Sequence, residues 1–186
     1  YGLPLDSQPT ALYYNQTMLE KAGIIVISVD EADLEKWNAG EIADNNGKKK
    51  SDFAKLSGVT VPAKGYYRSL NPYYYNGEYT KTWVKPDFAN GEIAVFNNRI
   101  AMNWDEVEDL GMLFSGKYNP KPGEENKANP VTEFGTQYGY FTEWWFNYGW
   151  SVGGDCLNDL TDNGEWNFSL LDPNPNFVVA DGKTFT

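Results

Sequence analysis

The chain has 186 residues, enough for one domain, and its 15 basic and 26 acidic side chains give a formal net charge of −11. A chain with this excess of negative charge repels phosphate groups, so we do not expect it to bind nucleic acid or anionic membrane surfaces. It has no histidine and one cysteine, Cys156, which excludes histidine-based catalytic triads, histidine-ligated zinc and an internal disulfide.

The first elements are predicted to alternate between strands and short helices. Residues 11–14 combine aromatic and aliphatic side chains after two prolines, and this predicts a strand. Residues 16–22 suit a short helix that ends at Gly23. The β-branched run at residues 24–29 then predicts a buried strand.

Beyond this strand the pattern changes from a helix to a loop. Ser28 and Glu31 have the spacing of a capping box, which predicts a helix that continues through Trp37. Prolines and glycines then punctuate residues 44–79, and this predicts a loop or an irregular hairpin. The tyrosines at 73–75 fit either a second stacking platform for a ligand or the packing of this loop against its own domain.

The next segment predicts two strands, a helix and a loop. Residues 92–96 predict a strand, and residues 99–102 a second short one. Asn103 is placed to cap a helix over residues 104–114. Residues 117–130 are rich in Lys, Pro, Gly, Asn and Glu, which is typical of a surface loop.

Two acids of that helix raise the question of glycoside hydrolysis, which uses a pair of carboxylates about 5–10 Å apart. Glu106 occupies the capping-box position, and Asp109 follows one helical turn later. With 26 acids in the chain, chance pairs are common. We therefore expect Glu106 and Asp109 to lie on a solvated helix face rather than to act as a catalytic pair.

The densest aromatic segment, residues 141–152, predicts a helix that is covered on two sides, because rings fall on opposite faces. Such rings suit either the domain core or a groove for sugars, whose apolar C–H faces stack on indole and phenol rings. Residues 157–186 predict short strands separated by turns.

Four stretches, in this order along the chain, resemble one family. Residues 2–15 (GLPLDSQPTALYYN), 18–24 (MLEKAGI), 103–110 (NWDEVEDL) and 138–154, which end in Gly-Gly, are similar to motifs of the family 1 extracellular solute-binding proteins. These maltose-binding-protein-like lipoproteins deliver sugars to bacterial ABC importers.

The resemblance implies an α/β fold, with residues 1–186 forming one partial lobe of a periplasmic-binding-protein-like type II fold. In the family the helix ending in Lys-Ala-Gly-Ile closely precedes the Trp-Asp-Glu helix. Here residues 24–102 lie between them, so we expect a large, loop-rich insertion. We also expect the chain to be a fragment whose second lobe belongs to the same parent protein.

The resemblance also implies a ligand site built from aromatic and polar side chains. The matching positions are Asp6, Gln8, Tyr138, Tyr140, Glu143, Trp144 and Trp145. The rings are expected to stack on a sugar, and Asp6, Gln8 and Glu143 to bind its hydroxyls. No catalytic residue, metal or cofactor is implied.

The expected function is therefore the binding of an oligosaccharide in an interlobe cleft for uptake. The expected partners are the oligosaccharide, the membrane permease of an ABC importer and the missing lobe. The expected location is the extracellular face of the membrane, through a lipid-anchored parent, or the periplasm. Two alternatives remain open: a carbohydrate-binding module or surface adhesin, and a fragment of a glycoside hydrolase.

Overall fold

A computed structural model of the chain describes residues 11–134 and 139–140, together with four short strands between residues 157 and 185. The chain divides into two compact units, Tyr1–Tyr140 and Phe141–Thr186.

The first unit mixes helices and strands, as expected for an α/β protein. Its elements in chain order are α1 (Gln16–Lys21), β1 (Ile25–Ile27), α2 (Leu34–Asn38), β2 (Tyr66–Arg68), β3 (Tyr74–Tyr75), β4 (Glu78–Tyr79), β5 (Ala94–Asn97) and α3 (Trp104–Phe114). Short 3-10 turns lie between several of them.

The main sheet of this unit has three strands in the order β1-β5-β2. Strands β1 and β5 are parallel, with Ile25 opposite Val95, and β2 is antiparallel to β5, with Tyr66 opposite Phe96. All three strands come from residues 24–102, the stretch expected to be an insertion; that assignment stays a prediction. The central strand β5 is buried along its whole length.

Helices pack on both faces of this sheet, because alternate residues of each strand point to opposite sides. On one face, Trp37 of α2 packs with Ile27 and Val95. On the other face, Leu113 of α3 packs with Phe96, and α1 contributes to the same cluster. Trp37, Ile27 and Leu113 are fully buried, so both faces have a true apolar core.

The two parallel strands send the chain to opposite faces of the sheet. Strand β1 leads into α2 on one face, and its neighbour β5 leads into α3 on the other. Where adjacent strands diverge in this way, a crevice forms beyond their carboxyl ends, and open α/β sheets bind ligands in such crevices.

Strands β3 and β4 form a separate hairpin, in keeping with the predicted loop or irregular hairpin. Asn76 and Gly77 both have positive φ, 50° and 83°, as a two-residue hairpin turn requires. Tyr74, Tyr75 and Tyr79 remain exposed on this hairpin.

The structure confirms several of the predicted elements. The short helix is α1, and Gly23 follows it with φ of 92°. Strand β1 lies within residues 24–29, and α3 spans Trp104–Phe114 with Asn103 as its cap.

Other predictions are wrong. Residues 11–14 and 99–102 are not strands, because neither segment pairs with another strand. The capping box at Ser28 and Glu31 does not form, since the backbone N–H of the buried Ser28 donates to Asp44 Oδ2 (3.0 Å) and Asp30 precedes the 3-10 turn that opens α2. Strand β2 lies within the tract expected to be a loop or an irregular hairpin, but it pairs with the distant β5 in the main sheet.

In the second unit, β6 (Leu157–Asp159) pairs antiparallel with β7 (Trp166–Phe168), and β8 (Phe177–Val178) pairs antiparallel with β9 (Thr184–Phe185). These are short strands of the kind predicted for residues 157–186. The predicted helix at 141–152 lies outside the described residues. Within the described part of the chain, no helix has the length and apolar character needed to span a membrane.

Candidate ligand site

A polar cluster lies beyond the carboxyl ends of β1 and β5. Arg99 Nε donates to Asp30 Oδ1 (2.7 Å), which joins the segment after β5 to the segment after β1. Asn45 Nδ2 donates to the second oxygen, Oδ2, of the same carboxylate (3.3 Å). The hydrogen bond from Arg99, followed by that from Asn45, lowers the pKa of Asp30. We call Asp30, Asn45, Asn98 and Arg99 the carboxyl-end cluster.

The backbone under this cluster is held by a buried carboxylate. Asp44 Oδ2 accepts the N–H of Ser28, and Asp44 Oδ1 accepts the N–H groups of Asn46 (2.9 Å) and Lys48 (2.8 Å). Three hydrogen bonds to a single carboxylate satisfy it in the interior, where an unpaired charge would be costly. The turn that carries Asn45 is thereby fixed beside Asp30.

An apolar groove of about 190 Å³ adjoins the cluster, and we call it the tyrosine groove. Its aromatic lining consists of Tyr13, Tyr14, Phe96, Phe114 and Tyr140. The Tyr14 ring packs edge-on against Phe96 (4.8 Å between centroids). A second groove of about 360 Å³ shares Tyr14 and Phe96 and extends to Asn98 and Arg99.

One hydrogen bond connects the groove with the cluster: Asn98 Nδ2 donates to the hydroxyl of Tyr14 (2.8 Å). Tyr14 therefore presents an apolar ring to the groove and a fixed hydroxyl to the cluster. Tyr13, its neighbour, is 92% exposed, so its ring is available to stack on a ligand.

Tyr140 is the one predicted site residue that the described part of the chain includes, and it lines the tyrosine groove. Its ring contacts Trp104 edge-on (6.2 Å between centroids) and stays 40% exposed. The preceding Gly139 lies directly on Gly111 of α3, where a Cβ atom on Gly139 would overlap the Gly111 carbonyl oxygen. Two glycines thus allow the backbone to come close enough to place Tyr140 beside α3.

The other predicted site residues, Asp6, Gln8, Tyr138, Glu143, Trp144 and Trp145, lie outside the described residues. Sequence reasoning missed Tyr14, Asp30, Asn98 and Arg99. A usable signal was present, because Asp30 directly follows the strand predicted at residues 24–29, and Asn98 lies two residues after the strand predicted at residues 92–96. The strands were not known to be parallel neighbours, however, so nothing connected the residues that follow them.

The expected solvated face of α3 is wrong, because Glu106 and Asp109 are both buried. Asp109 Oδ1 accepts from Arg68 Nη1 (3.2 Å) and from Trp83 Nε1 (2.6 Å), and Arg68 also pairs with Glu92. Desolvation outweighs these hydrogen bonds and raises the pKa of Asp109.

Glu106 also has a structural role. Its carboxylate accepts the backbone N–H of Tyr66 (3.1 Å) and so caps the outer edge of β2. Lys64 lies 4.0 Å from the same carboxylate. Both acids therefore have fixed partners within the first unit.

No group of three or more acidic or cysteine side chains suited to hold a metal ion occurs among the described residues. No protein-family model, no curated protein and no solved structure matches this chain.

Proposed function

We propose that the chain binds a carbohydrate in the tyrosine groove, with the carboxyl-end cluster binding the hydroxyls of the sugar. The observation that carries this proposal is the hydrogen bond from Asn98 to the Tyr14 hydroxyl, because it joins an apolar aromatic wall to a set of polar side chains. A ligand that suits both parts needs one apolar face and a rim of hydroxyls. Sugar rings have that combination.

The energetics suit a neutral sugar. Each ring that stacks on a sugar adds on the order of 1 kcal/mol beyond the burial of area. The amide of Asn98 and the charges of Asp30 and Arg99 supply both donors and acceptors, as a hydroxyl requires. A buried hydroxyl without a partner costs about 1–3 kcal/mol, so these groups determine which sugars fit.

The same proposal gives the chain its place in a larger protein. The unit would be one lobe of a type II periplasmic-binding-protein-like fold, with the second lobe closing over the sugar by a hinge motion. Closure shifts a population of conformations that an ABC permease would recognise, and no bond is broken. The divergence of β1 and β5 supports this placement, as do the motifs at residues 2–24 and 103–110.

The test is titration calorimetry of the full chain with maltotriose, cellotriose, xylotriose and chitotriose. We expect Tyr14→Ala and Tyr140→Ala each to weaken the affinity for the best ligand about tenfold, since each removes roughly 1.4 kcal/mol of stacking and burial. The control is Tyr75→Ala, which removes an exposed ring from the separate hairpin.

Each outcome separates the proposals. If Tyr75→Ala lost affinity and Tyr14→Ala kept it, the sugar site would be assigned to the hairpin of β3 and β4. Cleavage of a trisaccharide would point to a hydrolase instead. A steep dependence of affinity on salt would indicate a charged ligand, because exposed charges are screened beyond about 10 Å at 0.1 M salt. Binding of none of the four sugars, in a folded chain, would overturn the proposal.

A further inference from the structure

Asn97 connects the two strands at the point where they diverge. It is the last residue of β5 and is only 1% exposed. Its Oδ1 accepts the backbone N–H groups of Val29 (3.1 Å) and Arg99 (3.2 Å), and its Nδ2 donates to the carbonyl of Val29 (2.9 Å). Since Oδ1 faces two donors and Nδ2 faces an acceptor, only this orientation of the amide satisfies all three partners.

These three bonds act just where the sheet ends. The register of β1 and β5 ends with Ile27 opposite Asn97, and beyond it the segments turn toward α2 and α3. Val29 precedes Asp30 by one residue, and Arg99 is bonded directly. A single side chain therefore fixes the backbone beside both members of the Asp30–Arg99 ion pair, although neither member belongs to a regular element.

We propose that Asn97 is a positioning residue, which holds Asp30 and Arg99 in one arrangement before a ligand arrives and so selects the hydroxyl spacing that the pair accepts. The ligand part of this inference rests on the proposed carbohydrate function. The positioning part does not, because it concerns two side chains that already meet in the free protein.

A buried amide can hold the two segments more firmly than the exposed ion pair can. Asp30 and Arg99 are each about half exposed, and an exposed ion pair contributes little by itself, because solvent and salt screen it. That is too little to hold two diverging loops in register. Hydrogen bonds made by a buried amide are worth more, because an unsatisfied partner would pay the full cost of desolvation.

The first unit also offers a matched control. Asn38, at the end of α2, makes the same two-way contact with one backbone residue: its Nδ2 donates to the Val61 carbonyl (2.8 Å) and its Oδ1 accepts the Val61 N–H (3.0 Å). Asn38 lines neither the tyrosine groove nor the groove that reaches Arg99. It therefore separates loss of a backbone clamp in general from loss of this one.

The first experiment needs no ligand. The carboxyl pKa of Asp30 is measured by NMR in the wild-type chain, in Asn97→Ala and in Asn38→Ala. Because the hydrogen bond from Arg99 is the main cause of the lowered pKa, release of Arg99 should raise the pKa of Asp30 toward its ordinary value in Asn97→Ala. Asn38→Ala should leave it unchanged. An unchanged pKa of Asp30 in folded Asn97→Ala would overturn the proposal.

The second experiment uses Asn97→Asp, which keeps the shape of the side chain and serves equally if Asn97→Ala does not fold. An ionised carboxylate still accepts from Val29 and Arg99 but cannot donate to the Val29 carbonyl, and the protonated acid can. Affinity for the best trisaccharide of the panel should therefore be about tenfold weaker than wild type at neutral pH and recover as the pH falls toward about 4.

The affinity of each variant is divided by that of the wild type at the same pH, and Asn38→Asp is the control. Asp30, Asp44 and Arg99 are the charged groups on the segments bonded to or following Asn97, so the pKa of Asp30 is measured by NMR in all three proteins and its own titration is separated from that of residue 97. A ratio that does not change with pH would overturn the positioning role. If wild type binds none of the sugars, the carbohydrate proposal fails, while the pKa of Asp30 still decides the role of Asn97.

Discussion

Arg68 of β2 and Asp109 of α3 meet inside the first unit, with 3.2 Å between Nη1 and Oδ1. Their side chains are only 3% and 10% exposed, so both charged groups are shielded from solvent. Glu92 and the Trp83 indole complete the group. A buried ion pair adds little net stability, but removal of one partner is costly because the other stays buried without it.

This arrangement predicts a large loss of stability in Asp109→Ala. The substitution leaves the Trp83 N–H without its acceptor and Arg68 with Glu92 alone, and we expect the free energy of unfolding to fall by about 3 kcal/mol. Asp105→Ala, at an exposed position of the same helix, should cost less than about 1 kcal/mol. Urea unfolding measures both, and equal losses would contradict the structural role of Asp109.

Tyr73 and Glu108 predict a shifted titration. The Tyr73 hydroxyl donates to Glu108 Oε1 (2.9 Å), and this bond is the main cause that raises the pKa of Tyr73 to about 12. In Glu108→Gln the pKa should fall back toward about 10. Carbon-13 NMR of the tyrosine ring measures it. Asp105→Asn, which removes an acid that does not contact Tyr73, should leave the pKa near 12.

The same shift sets a pH dependence of stability. Because the pKa of Tyr73 is higher in the folded chain than in the unfolded one, its contribution is fully present below about pH 10 and is lost as the pH rises toward 12. The difference in unfolding free energy between wild type and Glu108→Gln should shrink over that range. A constant difference would argue against the hydrogen bond.

Gly139 and Gly111 predict effects of opposite sign. A methyl group on Gly139 would overlap the Gly111 carbonyl, so Gly139→Ala should destabilise the chain by about 1–3 kcal/mol and displace Tyr140. A methyl group on Gly111 meets only ordinary contacts, and alanine favours the helix, so Gly111→Ala should stabilise by about 0.5–1 kcal/mol. Thermal unfolding of both variants checks the contrast, and destabilisation by Gly111→Ala would contradict it.

Asn103 predicts a helix-cap effect beside the candidate site. Its Oδ1 accepts the N–H of Glu106 (2.9 Å), which satisfies a free donor in the first turn of α3. Asn103→Ala should therefore lower the free energy of unfolding by about 1 kcal/mol. Asn103→Ser keeps an acceptor and should restore most of that loss. Equal behaviour of the two variants in urea would show that the cap is not important.

Much of the helical structure could be predicted from local chemistry. Asn103 and Gly23 act on residues close to them in sequence, so α3 begins, and α1 ends, where the sequence indicates. Strand β2 was missed for the opposite reason. Its flanking Pro62, Gly65 and Pro72 favour a loop, and only pairing with the distant β5 makes Tyr66–Arg68 a strand.

The candidate site shows the same division. Among the predicted ligand-binding residues, Tyr140 lines the tyrosine groove, and its contact with a ligand stays a prediction. The contacts of Asp30 with Arg99, and of Asp109 with Arg68, join residues far apart in sequence, so no local pattern reveals them. The local pattern therefore predicts a solvated side chain at Asp109, although Arg68 of β2 pairs with it in the core.

Because β1 and β5 diverge, the residues that stabilise the fold differ from those that form the candidate site. Trp37 and Leu113 are buried and pack the helices against the sheet. Asp30, Asn98 and Arg99 lie instead in the connections that follow β1 and β5. Under the proposed function, a library randomised at Asp30, Asn98 and Arg99 should therefore yield folded variants that differ in the sugars they bind. The residues of the candidate site can thus change, in evolution or in a laboratory selection, while the core residues stay the same.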